Sequence, residues 1–436
     1  MIKDIDFIAK KEKEGVERMS SVVQPANRAA DHSHAVSLEE TSLLKQPRAV
    51  WAVSFACIIA FMGLGLVDPI LPAIAKKLEA TPSQVSLLFT SYNAVMAIAM
   101  LITGVISSRL GIKRTLLTGI VVIAVFSALG GASNGIWELI GLRGGWGLGN
   151  ALFVATALSA IVSLSNSGTE KAIILYEAAI GIGISVGPLL GGELGAMSWR
   201  GPFYGVATLM VVAFIALSIM MPGAKKMGLA QAEPQQKSSL MDPFRALKHR
   251  PLFVFGLSAC LYNFGFFTLM AFAPFVMGLD EHGLGYVFLG WGILLALTSV
   301  FTAPRLHQKF GSIPSMCAML VLFALTLLSM GIWTNHQTVI IVCVIIAGAM
   351  LGNNNTLLTT AVMNAAPVQR STASAAYSFL RFLGGAIAPY FSSKLAEWYN
   401  PHVPFVVGAC FVLAAMLVIA GNYKHIKHVE NVESAH

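Results

Sequence analysis

The sequence predicts an all-α membrane protein of twelve transmembrane helices in two pseudo-symmetric six-helix bundles. Three observations carry that expectation. Of the 436 residues, 56% are hydrophobic and only 11% are charged. Apolar runs of about twenty residues, enough to cross roughly 30 Å of hydrocarbon, recur along the chain. A polar interruption divides twelve such runs six and six, with matching residues on either side. The mean hydropathy of +0.71 agrees with a membrane composition.

In chain order the spans are expected near 50–72, 84–106, 114–133, 136–161, 172–195, 202–221, 252–276, 284–304, 313–333, 338–360, 372–394 and 403–422. Residues 1–49 form a polar tail of mixed charge with no apolar core of signal-peptide length, expected to be cytoplasmic and disordered. Residues 50–221 make the first bundle, 222–251 a central cytoplasmic loop, 252–422 the second bundle and 423–436 a cytoplasmic C-terminal tail.

Orientation follows from Lys and Arg. With the N-terminus inside, the short inner loops hold Arg109, Lys113, Arg114, Lys171, Arg305, Lys309 and Arg370. The outer loops hold only Lys76, Lys77 and Arg200, beside Asp280 and Glu281. The positive-inside rule then places both termini in the cytoplasm. This bias accounts for the net charge of +8, so the sequence offers no reason to expect a nucleic-acid partner. The cysteines at 57, 260, 317, 343 and 410 all fall inside spans, without metal spacing or a disulfide pattern. There is no P-loop, HExxH or GxSxG motif, so neither an ATP-driven machine nor an enzyme is indicated, and no cofactor or metal is expected.

The two halves repeat. Tyr176 and Pro188 of span five return as Tyr377 and Pro389 of span eleven; LGNA at 148–151 returns as LGNN at 351–354, and RLG at 109–111 as KFG at 309–311. All offsets are close to two hundred residues, which points to a duplicated six-span unit around a central cavity. Span five also contains GIGISVGPLLGGELG, whose Gly183, Gly187 and Gly191 recur every four residues. A smooth stripe of this kind lets two helices approach closely, and Pro188 removes a backbone hydrogen bond and bends the helix.

Charges inside spans cost about 2.5–3.5 kcal/mol each at mid-bilayer, so they mark function. Asp68 and Arg143 fall at similar depths in spans one and four, Glu177 lies inside the inner end of span five, and Arg381 is near the middle of span eleven. The repeat mate of Glu177 is Ser378, so the acid is not required by the fold. Glu193 and Lys394 occupy equivalent outer helix ends and are expected to be solvated.

Four motifs together resemble the major facilitator superfamily, and within it the twelve-span drug:proton antiporters of bacterial multidrug efflux. GVISSRLGIKR at 104–114 resembles the loop signature between spans two and three through Gly104, Arg109, Gly111, Lys113 and Arg114, although Ser108 stands where an acid is usual. LIGLRGGWGLGNA at 139–151 resembles the fourth-span signature through Arg143, Gly147 and Gly149, with Trp146 replacing a customary Gln. GISVGPLLGG at 183–192 fits the fifth-span signature of proton-coupled exporters, and DPILP at 68–72 resembles the first-span motif.

The resemblance implies a major facilitator fold and a secondary transporter in the plasma (inner) membrane, acting as a monomer. It would export amphipathic or lipophilic small molecules in exchange for protons by rocker-switch alternating access. An Asp68–Arg143 pair, with Glu177 as a second acid, would couple protons; Gly183, Gly187, Pro188, Gly191 and Gly192 would seal the cavity; Arg109, Lys113 and Arg114 would clasp helix ends on the cytoplasmic face. Tyr262, Asn263, Phe264, Asn353, Asn354 and Arg381 are expected to line the substrate cavity, although successive Asn residues on a helix cannot share one direction. A dedicated metabolite carrier, a lipid flippase and a non-transporting sensor are the alternatives.

Overall fold

The computed structural model describes residues 46–166, 168–221, 241–365, 368 and 370–427. The expected tails at 1–45 and 428–436 and most of the central loop, 222–240, lie outside the described residues. Twelve long helices result: α1 (Arg48–Gly65), α2 (Pro82–Leu110), α3 (Ile112–Ala132), α4 (Ile136–Leu164), α5 (Gly168–Met197), α6 (Gly201–Met220), α7 (Arg250–Met277), α8 (Glu281–Phe310), α9 (Ser312–Ile332), α10 (Gln337–Asn364), α11 (Arg370–Trp398) and α12 (Val403–Gly421). Ten are long and apolar enough to cross a membrane by themselves. The other two are α1 and α11. Helix α1 stops at Gly65, short of the expected residue 72, and the chain continues as a 3-10 turn (Asp68–Ile70) and a short helix (Leu71–Lys77). Pro69 and Pro72 explain the break, since each lacks an amide hydrogen and restrains the residue before it. Helix α11 carries Arg381, Lys394 and Glu397, and it packs between α2 and α7, where its polar groups meet protein.

Helix ends follow local chemistry. Thr81 and Gln84 form a reciprocal capping box that starts α2 at Pro82. The Asp280 carboxylate accepts from the Gly283 amide at 2.8 Å and starts α8. The repeated RLG and KFG triplets end α2 and α8 at Gly111 and Gly311, with φ of +80° and +85°, a conformation that favours glycine.

The helices bury two hydrophobic cores, one drawn almost wholly from α1–α6 and one from α7–α12. The duplication is visible in the closest helix contacts. Gly183 of α5 lies against the Ile58 carbonyl of α1, and its repeat mate Gly384 of α11 lies against the Cys260 carbonyl of α7. A Cβ on Gly183 would sit 2.5 Å from that oxygen, and one on Gly187 would sit 2.5 Å from the Met62 carbonyl. Gly191 meets Leu66 in the same way, so the stripe seats α5 on α1 inside its own bundle. A neighbouring face of α5 meets α8 of the other bundle: Gly181 against Ala296, Ser185 against Gly292 and Gly192 against the Glu281 carbonyl.

These cross-bundle contacts run from one end of the molecule to its middle. At that end, opposite to the one where α1 begins, Ser86 of α2 and Ser393 of α11 hydrogen bond at 2.6 Å. The Ser83 amide donates to Glu397 at 3.1 Å, and Glu193 of α5 meets His282 of α8 at 3.0 Å. Lys394 pairs with Glu397 at 2.8 Å, so neither Glu193 nor Lys394 is merely solvated. At the tail end, by contrast, Ser108, Arg109, Leu110 and Gly111 of α2 are exposed, as are Pro304, Arg305 and the segment 308–310 of α8. The bundles are thus joined at the opposite end and part toward the tail end.

Two outcomes test this arrangement in a chain freed of its native cysteines. Ser86→Cys with Ser393→Cys should form a disulfide that joins α2 to α11 at the opposite end, read as a gel shift reversed by reductant. Gly187→Leu should lower the thermal unfolding midpoint by disrupting α1 against α5, whereas Gly192→Leu should leave each bundle folded and abolish that disulfide.

Candidate functional site

Four helices bring polar side chains to one level. Glu177 lies nine residues into α5 and Arg381 eleven into α11, or roughly 13 and 16 Å from the tail end at the helical rise. Tyr262 of α7 and Asn355 of α10 fall at comparable depths. The Tyr262 hydroxyl donates to Asn355 Oδ1, and Arg381 donates to the same oxygen at 3.5 Å. Among the described residues no ion pair within 4.0 Å joins Glu177 to Arg381. The two residues belong to different bundles.

Aromatic rings surround the level. Phe61 of α1 meets Tyr176 edge-on at 6.5 Å, and the Arg381 guanidinium lies 5.9 Å from the Phe382 ring. Nearer the opposite end, Phe267 reaches across to Phe89 of the first bundle at 6.2 Å. Tyr176 and Tyr377 are repeat mates at an offset of 201, and both are buried.

The other expected lining residues point elsewhere. Asn263 is buried and donates to the Ala259 carbonyl of its own helix at 2.9 Å. Phe264 stacks on Phe411 at 4.1 Å and fastens α7 to α12. Asn353 donates to Ala349 at 2.9 Å, while both amide atoms of buried Asn354 lack a hydrogen bond among the described residues. At 100° per residue only the third of the three asparagines, Asn355, turns to Tyr262 and Arg381. The phase set by Tyr377 and Arg381 at i and i+4, and their offset from Tyr176, was the sequence signal for this convergence.

The second group of expected residues lies nearer the opposite end. Arg143 of α4 is buried, with its guanidinium 4.1 Å from the Trp146 ring and 4.9 Å from that of Tyr92. Trp146, in the place of the customary Gln, thereby supplies a cation–π face. Asp68 begins the 3-10 turn after α1; its side chain, and with it the proposed Asp68–Arg143 pair, lies outside the described residues. Asn150 donates to the Tyr92 hydroxyl and links α4 to α2.

In the loop signature, Lys113 donates to Ser218 O at 2.9 Å and to Met221 O, neutralising the carbonyl end of α6. The clasp in this conformation therefore stays within one bundle. Arg109 and Arg114 are exposed, Gly104 has open space beside it, and Ser108 bonds Val105 O of its own helix at 2.8 Å.

Two repeated helical bundles around one polar level define a multi-pass membrane protein of carrier architecture. The Major Facilitator Superfamily profile matches residues 53–316 and 277–434. Multidrug efflux protein YfmO of Bacillus subtilis (strain 168) is 55% identical over 392 residues, covering 90% of this chain and 97% of its own. Quinolone resistance protein NorA of Staphylococcus aureus (strain COL) is 23% identical over 389 residues, covering 87% and 97%. The crystal structure of the human organic anion transporter MFSD10 (TETRAN) superposes with a TM-score of 0.68 at 17% identity, over 85% of this chain and 99% of that one, a likeness of fold. The chain belongs to the major facilitator superfamily.

The site geometry separates two adjacent asparagines. Asn355→Leu should destabilise the protein by about 1–3 kcal/mol, because it strands the Tyr262 hydroxyl and one Arg381 donor. Asn354→Leu, which strands nothing, should leave the thermal midpoint in detergent at or above that of the parent chain.

Proposed function

We propose that this protein is a secondary transporter that exports amphipathic or lipophilic small molecules, of the multidrug type, in exchange for protons. The observation that carries the reading is the placement of an acid, Glu177, in α5 of one bundle and of Arg381, hydrogen bonded to Asn355, in α11 of the other, at similar depths along their helices. An acid there is reached from one side of the membrane at a time as the bundles rock, which is what proton exchange requires. The curated relatives YfmO and NorA, named for multidrug efflux and quinolone resistance, support the substrate class.

The tail end faces the cytoplasm in this reading. Its short loops carry Arg109, Lys113, Arg114, Arg305 and Lys309, against Lys76, Lys77 and Arg200 at the other end. The conformation described is then inward-facing, in the plasma membrane, with both termini inside. Substrate enters from the cytoplasm while Glu177 is ionised. Rocking closes the tail ends, opens the seam between α5 and α8, and exposes the carboxylate to protons outside. Neutralising Glu177 releases its hold on Arg381 and favours return with the proton. One chain supplies both walls of the site, so a monomer suffices, and buried Arg143 lies nearer the outside.

Efflux driven by an imposed pH gradient in proteoliposomes tests the reading. Glu177→Gln should reduce gradient-driven efflux at least tenfold while protein level and orientation are unchanged, because the amide cannot exchange a proton. Unaltered gradient-driven efflux in this variant rejects Glu177 as the coupling acid.

A further inference from the structure

We infer that the tail end of the second bundle carries a docking surface for acidic phospholipid headgroups, built where the chain enters α7 and leaves α12. The inference needs only that these helices cross a membrane, and it is independent of substrate and of proton exchange. The segment before α7 turns through a short helix (Asp242–Ala246), and the segment after α12 through another (Tyr423–Ile426). Arg250 fastens one to the other: its Nε and a terminal nitrogen donate to Asn422 Oδ1 at 3.2 and 3.0 Å. Ala246 and Ile426 are buried in the core of the second bundle, and Phe244 meets Phe379 of α11 edge-on at 5.8 Å. Both segments are thus held against the bundle, and the side chains they expose have a fixed place.

Those side chains are of two kinds. Arg245, Lys248, Arg250, Lys424 and Lys427 are exposed cations, and Asp242, 3.6 Å from Arg245, is the one acid in residues 241–253 and 421–427. Phe244, Phe253 and Tyr423 are exposed among them. Helices α7 and α12 are apolar spans, so this mixture stands immediately beyond their ends, at the level of the bilayer surface. Aromatic rings settle at that boundary, and each basic residue near it is drawn to anionic lipid. A soluble anion would match the cations alone, whereas an acidic phospholipid brings its phosphate to the cations and its acyl boundary to the rings. A phosphatidylcholine headgroup carries a quaternary ammonium as well, which the same five cations repel.

Native mass spectrometry of the full-length protein, delipidated in detergent, tests this with phosphatidylglycerol and phosphatidylcholine of the same acyl chains. The parent protein should bind phosphatidylglycerol about tenfold or more tighter, the effect of two cations beside one anionic headgroup. Combining Arg245→Gln, Lys248→Gln, Lys424→Gln and Lys427→Gln leaves the Arg250–Asn422 link in place and should bring the two lipids to within about twofold of each other. Unchanged phosphatidylcholine binding shows that this variant is folded. Arg109→Gln with Arg114→Gln, which removes exposed cations from the first bundle, should keep the preference. Equal binding of the two lipids by the parent overturns the inference. So does a preference that survives the four substitutions, a loss of both lipids alike on making them, or an equal loss of preference in the Arg109 and Arg114 variant.

Discussion

Close approach of helix backbones is the interaction on which this fold depends. Inside hydrocarbon every backbone amide is committed to its own helix, and apolar side chains gain little by leaving lipid for protein. Helices are then held by the depth of their contact, and glycine gives the deepest. Helix α5 uses this twice. Gly183, Gly187 and Gly191 press it onto α1, while Gly181, Ser185 and Gly192 lay it along α8. The two faces have different mechanical meaning. The α1 contact joins helices of one bundle, whereas the α8 contact crosses between bundles. Pro188 belongs to both: its ring packs against Gly65 of α1, and its carbonyl lies by Gly285 of α8. Glycine and proline, poor helix formers in water, here set how near three helices come.

Charge breaks the symmetry that duplication supplies. Tyr176 and Tyr377 mark equivalent positions, and Gly183 and Gly384 make equivalent contacts with α1 and α7. The next residue in each copy differs, Glu177 in one and Ser378 in the other, and only the second copy carries an arginine one turn further on. A frame built twice thus holds an acid on one wall and a base on the other.

Much of the architecture was legible in the sequence because membrane helices leave a one-dimensional trace of length and polarity. The polar break near residue 235 and the repeated Tyr–Pro, LGN and RLG/KFG positions were enough to see the duplication. What failed to show was direction around each helix axis. Residues 262–264 look alike as an aromatic and amide cluster, yet Tyr262 meets Asn355, Asn263 bonds its own helix and Phe264 stacks on α12. The every-fourth glycine stripe was plain, but its partner was not: nothing in the period tells α1 from α8. The end of α1 was overextended because apolar residues continue through Asp68, Pro69 and Pro72, and hydropathy takes no account of the missing amide hydrogens.

The level of the charges follows from where the seam stops. The contact between Gly181 and Ala296 lies one helical turn from Glu177, and immediately beyond Ala296 helix α8 changes character. Residues Thr298–Thr302 form a π-helical turn, braced to α10 by Thr298 donating to Ala349 O at 3.1 Å and by a Ser299–Thr356 hydroxyl contact at 2.5 Å. A π turn inserts an extra residue into the helical register, so the side chains after it point in new directions. The following segment, Ala303–Phe310, is largely exposed at the tail end. Glu177 lies one helical turn from the Gly181–Ala296 contact, and Arg381 hydrogen bonds Asn355 at a comparable depth in the other bundle. Closer to the opposite end an ionised pair would be enclosed by apolar contact; further toward the tail it would be exposed to solvent in a way that closing the bundles could hardly alter.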